Sequence, residues 1–415
     1  MKILVINTGS SSIKYQLLDM KEQQVLVSGL AEKIGETTSI LTHKKILANK
    51  KNRTKIKEER ICDHRDGLIQ ITGLLVDPEY GAIRDKSEIS AIGHRIVHGG
   101  EAFISPTIIT EKVIEAIKKN IPLAPLHNPP NLTGIEVAMS IFPNSRHAAV
   151  FDTAFHQTIP PKAFLYALPY DLYKKERIRR YGFHGTSHSY VAERCADYLN
   201  RPLKELNLIT IHLGNGASIA AVKNGECIDT SMGMTPLAGL VMGTRCGDLD
   251  PAIPFFLADH LKMSLKEIDR LLNKESGLKG ICGANDMREV IEKKNKGDNL
   301  AKTAMEIYCY RIKKYIGAYF AVLGDLDALI FTAGIGENAP DIRKGCCSGL
   351  IRLGIEIDNT KNYQPGKGLR EISPSAGKVK VLIIPTNEEL QIALETRKVT
   401  ACWSKDSGFA ENPNL

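Results

Sequence analysis

The stretch Lys2-Ile3-Leu4-Val5-Ile6-Asn7-Thr8-Gly9-Ser10-Ser11-Ser12-Ile13-Lys14-Tyr15-Gln16-Leu17 decides the fold. Lys2 to Ile6 is a short apolar run that reads as a buried strand, and the small polar residues from Asn7 to Ser12 end it. Ile13, Tyr15 and Leu17 then alternate with Lys14 and Gln16, the period-two pattern of a second strand. The glycine/serine turn therefore joins two strands and does not open a helix. A Walker A loop needs G-x-x-x-x-G-K-[ST] leading into a helix. Gly9 and Lys14 lack the second glycine and the hydroxyl residue after the lysine, so the P-loop reading fails.

The arrangement recurs where Leu208 to Ile211 runs into His212-Leu213-Gly214-Asn215-Gly216-Ala217-Ser218 and the strand Ile219 to Val222. A third apolar run, Asp327 to Phe331, ends in Thr332-Ala333-Gly334-Ile335-Gly336-Glu337-Asn338. Each is read as a flexible turn at a strand end, where backbone N–H groups can approach phosphate closely. One such turn has ordinary structural uses; three in one chain favour phosphate. Between them, Glu111 to Asn120, Ser187 to Leu199 and Ala301 to Tyr319 carry apolar residues at three- and four-residue spacing, which predicts helices. Strands alternating with helices indicate an α/β protein. The repeat suggests two related lobes that meet near Val150 to Asp152, and Lys380 to Glu395 reads as strand, turn and helix.

With 415 residues, 43% hydrophobic and 25% charged, the chain has the composition of an ordinary globular protein of two or three domains. Its net charge of +8 is mostly local: Lys44 to Arg60 holds eight basic residues against Glu58 and Glu59. A nucleic-acid binder would spread lysine and arginine over a docking face, so this run reads as a solvated hairpin, with an anionic partner as the minor alternative. The nine cysteines are scattered without a C-x-x-C pair, which indicates neither a disulfide framework nor a zinc site. The N-terminal apolar run is too short for a signal peptide, and nothing approaches the ~18 apolar residues of a membrane span. A reduced cytoplasm is the expected compartment.

Four clusters set charged or hydrogen-bonding side chains among glycines. Gly93-His94-Arg95-Ile96-Val97-His98-Gly99-Gly100 offers an arginine suited to gripping carboxylate or phosphate, and Met242-Gly243-Thr244-Arg245-Cys246-Gly247-Asp248 repeats the idea. In Tyr181-Gly182-Phe183-His184-Gly185-Thr186-Ser187-His188, either Thr186 or Ser187 is expected to cap the helix that follows. The H-x-x-x-H spacing lacks the inner glutamate of a zinc protease, so His184 is read as a proton or charge donor and His188 as structural. Asp152, in Val150-Phe151-Asp152-Thr153, is read as holding an arginine or capping a turn.

These residues complete a set of motifs that resembles the acetate kinase family, within the superfamily that joins acetate and sugar kinases with heat-shock ATPases and actin. The motifs are NTGSSSIK (7–14), GHRIVHGG (93–100), PLAPLHNPPN (122–131), FDTAFH (151–156), YGFHGTSH (181–188), HLGNGAS (212–218), MGTRCGDLDP (242–251), TAGIGEN (332–338) and PTNEE (385–389). The resemblance implies two duplicated actin-like, ribonuclease H-like α/β lobes with an ATP cleft between them. Residues 1–151 with a returning helix 387–400 would form one lobe, 152–386 the nucleotide-binding lobe, and 401–415, with the only tryptophan Trp403, a frayed tail. It implies catalytic roles for Asp152, His184 and Arg245, carboxylate binding by Arg95, and an acyl pocket of Val97, Leu126, Phe183 and Pro236. Lys14, His212, Leu213, Gly214, Asn215, Gly216, Asp286, Met287, Arg288, Gly334, Ile335, Gly336, Glu337 and Asn338 would surround ATP or ADP, while Asn7 and Glu388 would help hold Mg²⁺, for which Mn²⁺ may substitute. Acetate and ATP would be the substrates of a homodimer with no nucleic-acid or membrane partner. Because a carboxylate substrate is already ionised at pH 7, Asp152 is expected to orient an arginine or a metal-bound water and not to act as a base.

Two rival readings belong to other classes. Gly334-x-Gly336-x-x-Ala339, with Glu356 or Asp358 ~20 residues on, matches the fingerprint of NAD-dependent dehydrogenases. A non-catalytic actin-like ATPase would share the fold, but neither rival uses both arginine clusters. Propionate kinase is the nearest alternative within the family.

Overall fold

The computed structural model describes residues 1–47 and 51–402. Two compact units form: Met1–Ala154 with the returning chain from Asn387, and Phe155–Thr386. The first is built on a sheet of eight strands: β1 (Lys2–Thr8), β2 (Ser12–Asp19), β3 (Gln24–Glu32), β4 (Ser39–Lys45), β5 (Arg53–Glu59), β6 (Ile89–Ile96), β7 (Thr107–Ile108) and β8 (Arg146–Phe151). Their order is β5-β4-β3-β2-β1-β6-β8-β7. The continuous apolar run of β1 has a packing cause, since both faces of the strand are covered. Leu4 and Ile6 pack with Leu68, Ile71 and Leu75 of helix His64–Leu75 and with Val137 of helix Asn128–Ile141. Ile3 and Val5 face Ile392 and Ala393 of helix Glu388–Cys402. That helix approaches β6 so closely that a Cβ on Gly93 would lie 2.8 Å from Ile392 Cγ2.

The second unit repeats the plan with β9 (Asn207–Leu213), β10 (Ala217–Lys223), β11 (Glu226–Thr230), β12 (Ala328–Thr332), β13 (Arg370–Glu371) and β14 (Lys380–Ile383), in the order β11-β10-β9-β12-β14-β13. In each unit three antiparallel strands are followed by two that run parallel to the first: β3-β2-β1-β6-β8 matches β11-β10-β9-β12-β14 in order and sense. Both sheets therefore share the strand plan of the actin-like, ribonuclease H-like fold. Helix Gly185–Leu199 covers one face of the second sheet, setting Val191, Ala192 and Cys195 against Leu208, Ile330 and Leu382.

Several expectations shift. The chain leaves the first unit after Ala154, not after Phe151, because Asp152 and Thr153 are tied to β6 and the loop beyond it. The Asp152 N–H bonds the Ile96 carbonyl at 2.9 Å, and Thr153 Oγ1 receives the Gly99 N–H at 3.1 Å. Neither Thr186 nor Ser187 caps its helix: the chain enters through His184 in the left-handed conformation, φ 57°, and both hydroxyl residues are buried. The third glycine segment is the short helix Ala333–Asn338 and not an open turn. The long helix runs over Asn299–Leu323, where the Asp298 carboxylate caps its start and Gly324, φ +83°, ends it. Ala401 and Cys402 continue the last helix, and the rest of the expected tail, Trp403 included, lies outside the described residues. The basic segment forms the β4/β5 hairpin at the sheet edge, its residues 48–50 outside the described part; Lys55 pairs with Asp77 and Lys57 with Glu59. Charged side chains on an edge strand discourage further strand pairing.

Candidate active site

In the first unit the strand ends carry the site. Arg95, at the end of β6, grips Asp152, just past the end of parallel β8. Its Nε lies 3.1 Å from both carboxylate oxygens and its Nη2 lies 2.7 Å from Oδ2. Asp152 is 1% exposed. Burial alone would loosen the arginine proton, but the charges of Asp152 and then Glu388 outweigh it, and the pKa of Arg95 is raised. Asp152 thus has the arginine-holding place expected of it.

Lys14 faces Asn7 across the β1/β2 hairpin and ion-pairs with Glu389, which brings the start of helix Glu388–Cys402 to that turn. Lys14 lies in this unit and is not grouped with the other residues expected around the nucleotide. Glu388 Oε1 is buried without a hydrogen-bond partner, and the half-buried Asn7 amide makes no side-chain hydrogen bond to a described residue. A buried carboxylate oxygen without a partner and a half-buried amide oxygen are hard donors that suit Mg²⁺, which draws few protein ligands and takes the rest from water and phosphate. Val97, just beyond β6, is half-buried; Leu126 is 70% exposed.

The second unit holds the other charged groups. A Cβ built on Gly216 would lie 3.3 Å from His184 Nε2 and 3.6 Å from Arg245 Nη1, so the glycine leaves room where the imidazole and the guanidinium converge. The His184 ring stacks on His212 with centroids 4.2 Å apart, and its Nδ1 is 2.9 Å from Ser218 Oγ. Ser218 also meets His188 Nε2 at 2.7 Å, while His188 Nδ1 meets Thr210 Oγ1. With both ring nitrogens held by hydroxyls and its pKa pushed well down by burial, His188 is a neutral structural residue. Arg245 makes no ion pair among the described residues. It approaches only the Pro236 carbonyl, at 3.5 Å, and Met242 Sδ, and burial lowers its pKa. An arginine held this way keeps its charge available for an anion. Phe183 is buried, and its carbonyl accepts a hydrogen bond from His156.

A cavity of about 570 Å³ in this unit is lined by Gly214, Asn215, Asp286, Met287, Arg288, Gly334, Ile335 and Asn338, and also by Asn285, Ile291 and Ala339. Its size falls in the range of small-ligand sites. Asp286 caps helix Met287–Asn295 and binds the Arg288 guanidinium at 2.5–3.2 Å; that contact, with the Arg288 N–H, draws its pKa down to about 2. The remaining residues expected around the nucleotide sit elsewhere. Leu213 is a core residue at the end of β9, Gly216 belongs to the His184 group, and His212 packs beneath the Gly214 turn. Gly336 abuts the backbone of Phe331, and Glu337 accepts the N–H groups of Thr386 and Ala333, its pKa raised by burial.

The Acetokinase family model matches residues 2–394. The chain belongs to that family. The acetate kinase of Desulfotalea psychrophila is 55% identical over 405 residues, covering 96% of this chain and 99% of that protein. The crystal structure of Porphyromonas gingivalis acetate kinase matches with a TM-score of 0.92 at 44% identity, covering 96% of this chain and 99% of that one. A propionate kinase from Francisella tularensis matches with a TM-score of 0.88 at 46% identity, with the same coverage. Membership in the acetokinase family displaces the dehydrogenase reading. Asp358, one of the two acids that reading invoked, caps the short helix Asn359–Tyr363.

Some residues of the candidate site were missed in the sequence. Ser218 stands in a quoted motif, yet its part in holding His184 and His188 appears only once β10 lies beside helix Gly185–Leu199. Asn285, Ile291 and Ala339 flank expected positions, and the helical spacing from Met287 to Ile291 was the available signal for one of them. Asn128 and Asn131 sat in a motif read only for Leu126.

Proposed function

We propose that the chain is an acetate kinase, catalysing the reversible, Mg²⁺-dependent transfer of the γ-phosphoryl group of ATP to acetate. An acetate oxygen forms the new bond to phosphorus, the bond to the bridging oxygen of ADP breaks, and acetyl phosphate and ADP leave with no net proton transfer. One observation carries the reading: Arg95 is fixed by a buried carboxylate, while Arg245 stands without one beside His184. The first arrangement suits a guanidinium that must present a constant face to a substrate carboxylate. The second suits charge reserved for the equatorial oxygens of a phosphoryl group in transit.

Asp152 orients Arg95 and removes no proton, because acetate has none to lose at neutral pH. His184, held through Nδ1 by Ser218, directs Nε2 at the same place as the Arg245 guanidinium and donates a hydrogen bond to the moving phosphoryl group. The nucleotide occupies the cavity between the Gly214 turn and helix Met287–Asn295, with phosphates toward the glycines. Asn7 and Glu388 would hold Mg²⁺, which would supply neutralising charge to the phosphates; Mn²⁺ has the same preference for oxygen ligands. On the unit that carries Arg95, Val97 forms a wall of the acyl site.

A propionate kinase reading has its own support in the Francisella relative. Trapping acyl phosphate as the hydroxamate with acetate, propionate and butyrate side by side separates the two: the acetate reading expects acetate first. We further propose a homodimer in the cytoplasm. Helix Ile253–His260 has no buried residue and leaves Phe255 and Phe256 71% and 59% exposed, a face that a second copy would cover. All nine cysteines are free, and no helix among the described residues is long and apolar enough to cross a membrane.

A further inference from the structure

Helix Asn128–Ile141 opens Asn128-Pro129-Pro130-Asn131, and prolines are tolerated in a first turn because N–H groups there have no helical partner. Its two asparagines turn back onto the strand ends that carry the site. The Asn131 amide is 3% exposed and satisfied at both ends: Oδ1 receives the Val97 N–H at 3.1 Å, and Nδ2 donates to the Thr8 carbonyl at 2.7 Å. Strands β1 and β6 are parallel neighbours whose pairing stops at Ile6 and His94. Beyond that point no ladder bond joins Thr8 to Val97, and Asn131 supplies the link. Asn128 does a related task one residue on, exchanging two bonds with the His98 backbone at 3.2 and 3.0 Å. Gly134, one turn along, lies so near Thr8 that a Cβ would overlap Thr8 Oγ1, which lets the helix sit directly on the strand end.

We propose that Asn131 is a positioning residue that sets acyl-chain selectivity by clasping the Val97 backbone to the end of β1. This rests on the acetate kinase reading above. Val97 lies two residues from Arg95, the proposed carboxylate anchor, and Thr8 follows Asn7, a proposed metal ligand. One amide therefore fixes the wall of the acyl site relative to both. Removing it takes this partner from the half-buried Val97 N–H and the buried Thr8 carbonyl and lets Val97 retreat, opening room for a longer chain.

The test compares Asn131→Ala, Asn131→Asp and Asn128→Ala by kcat/KM for acetate and propionate and by hydrogen exchange at the Val97 amide. In Asn131→Ala the acetate-to-propionate ratio is expected to fall ~3- to 10-fold, a part of what one methylene is worth in an apolar site. The Val97 amide should exchange faster, while the KM for ATP stays within about two-fold. Asn131→Asp keeps an oxygen for the Val97 N–H but sets a carboxylate oxygen against the Thr8 carbonyl, which releases the clasp from β1; it should lower the ratio in the same direction as Asn131→Ala. Asn128→Ala removes as many hydrogen bonds but not the Val97 contact, and should keep the wild-type ratio. A ratio unmoved in Asn131→Ala, or moved equally in Asn128→Ala, would show a merely structural clasp and overturn the proposal. Should Asn131→Ala not fold, an unmoved ratio in Asn131→Asp does the same. A wild type that phosphorylates neither acid sinks the acetate kinase reading and this proposal together; an active enzyme indifferent to Asn131 sinks the proposal alone.

Discussion

Arg95 and Arg245 are the same residue type in opposite electrostatic settings, and they should fail differently. Arg95→Ala removes the guanidinium that both oxygens of buried Asp152 engage, and breaking a buried ion pair from one side typically costs about 3–5 kcal/mol, so it should lower the unfolding midpoint as well as activity. Adding Asp152→Ala should restore much of the stability and none of the turnover. Arg245→Ala removes a desolvated charge with no carboxylate partner, so the midpoint should hold or rise while kcat falls ~10³-fold, the scale of a lost arginine finger. Denaturant titration beside steady-state kinetics checks both, and an Arg245→Ala enzyme that keeps most of its turnover would remove Arg245 from the mechanism. At Val97, wild type should favour acetate over propionate ~10- to 200-fold in kcat/KM. Val97→Ala should narrow that gap, chiefly through the KM for propionate; an unchanged ratio in a folded variant would make Val97 plain core. Residues of this kind were legible because arginine among glycines is a chemical statement even in one dimension. Asn131 was not: its meaning is a bond to Thr8, 123 positions away, and no local pattern records that.

The elements of the two sheets bury several histidines in neutral form. His94 lies against His147 between β6 and β8, and burial, with His147 itself, lowers its pKa; burial likewise lowers that of His147. In the second unit burial depresses His156 to about 4, and the pKa of His188 is lowered as well. Because these folded values lie below the ordinary 6.5, the unfolded chain takes up protons first as pH falls. The stability they contribute is therefore complete above about pH 6.5 and lost as pH falls toward 4, on the order of 3 kcal/mol for His156 once fully developed. Urea midpoints should be lower at pH 5 than at pH 7.5, and less so in His156→Gln; a midpoint that rises on acidification contradicts this. Strand and helix identities followed from periodicity, and the repeated strand-turn-strand followed from Asn7 to Ser12 and His212 to Ser218. The segment from Ala333 to Asn338 misled because its glycines favour a turn locally, whereas packing of Gly336 on the Phe331 backbone sets a helical turn there. The cap at His184 was hidden for a similar reason, since its left-handed backbone conformation has no signature in a histidine.

At the scale of the whole molecule, the duplicated strand order accounts for the repeat in the sequence, and the β4/β5 hairpin accounts for most of the net charge as an addition at one edge. Light scattering after gel filtration should give twice the chain mass, and Phe255→Glu with Phe256→Glu should give the single chain mass; a wild-type monomer at micromolar concentration would leave that helix face without its proposed cover. On the proposed function the two arginine settings serve phosphoryl transfer to a small carboxylate. The most direct measurement is acyl phosphate formation by the purified full chain with ATP, Mg²⁺ and acetate, trapped with hydroxylamine. Acetyl hydroxamate should accumulate in step with ADP and vanish when acetate is omitted. ADP released at the same rate without acetate, and no hydroxamate with it, would make the chain an ATPase and contradict the account.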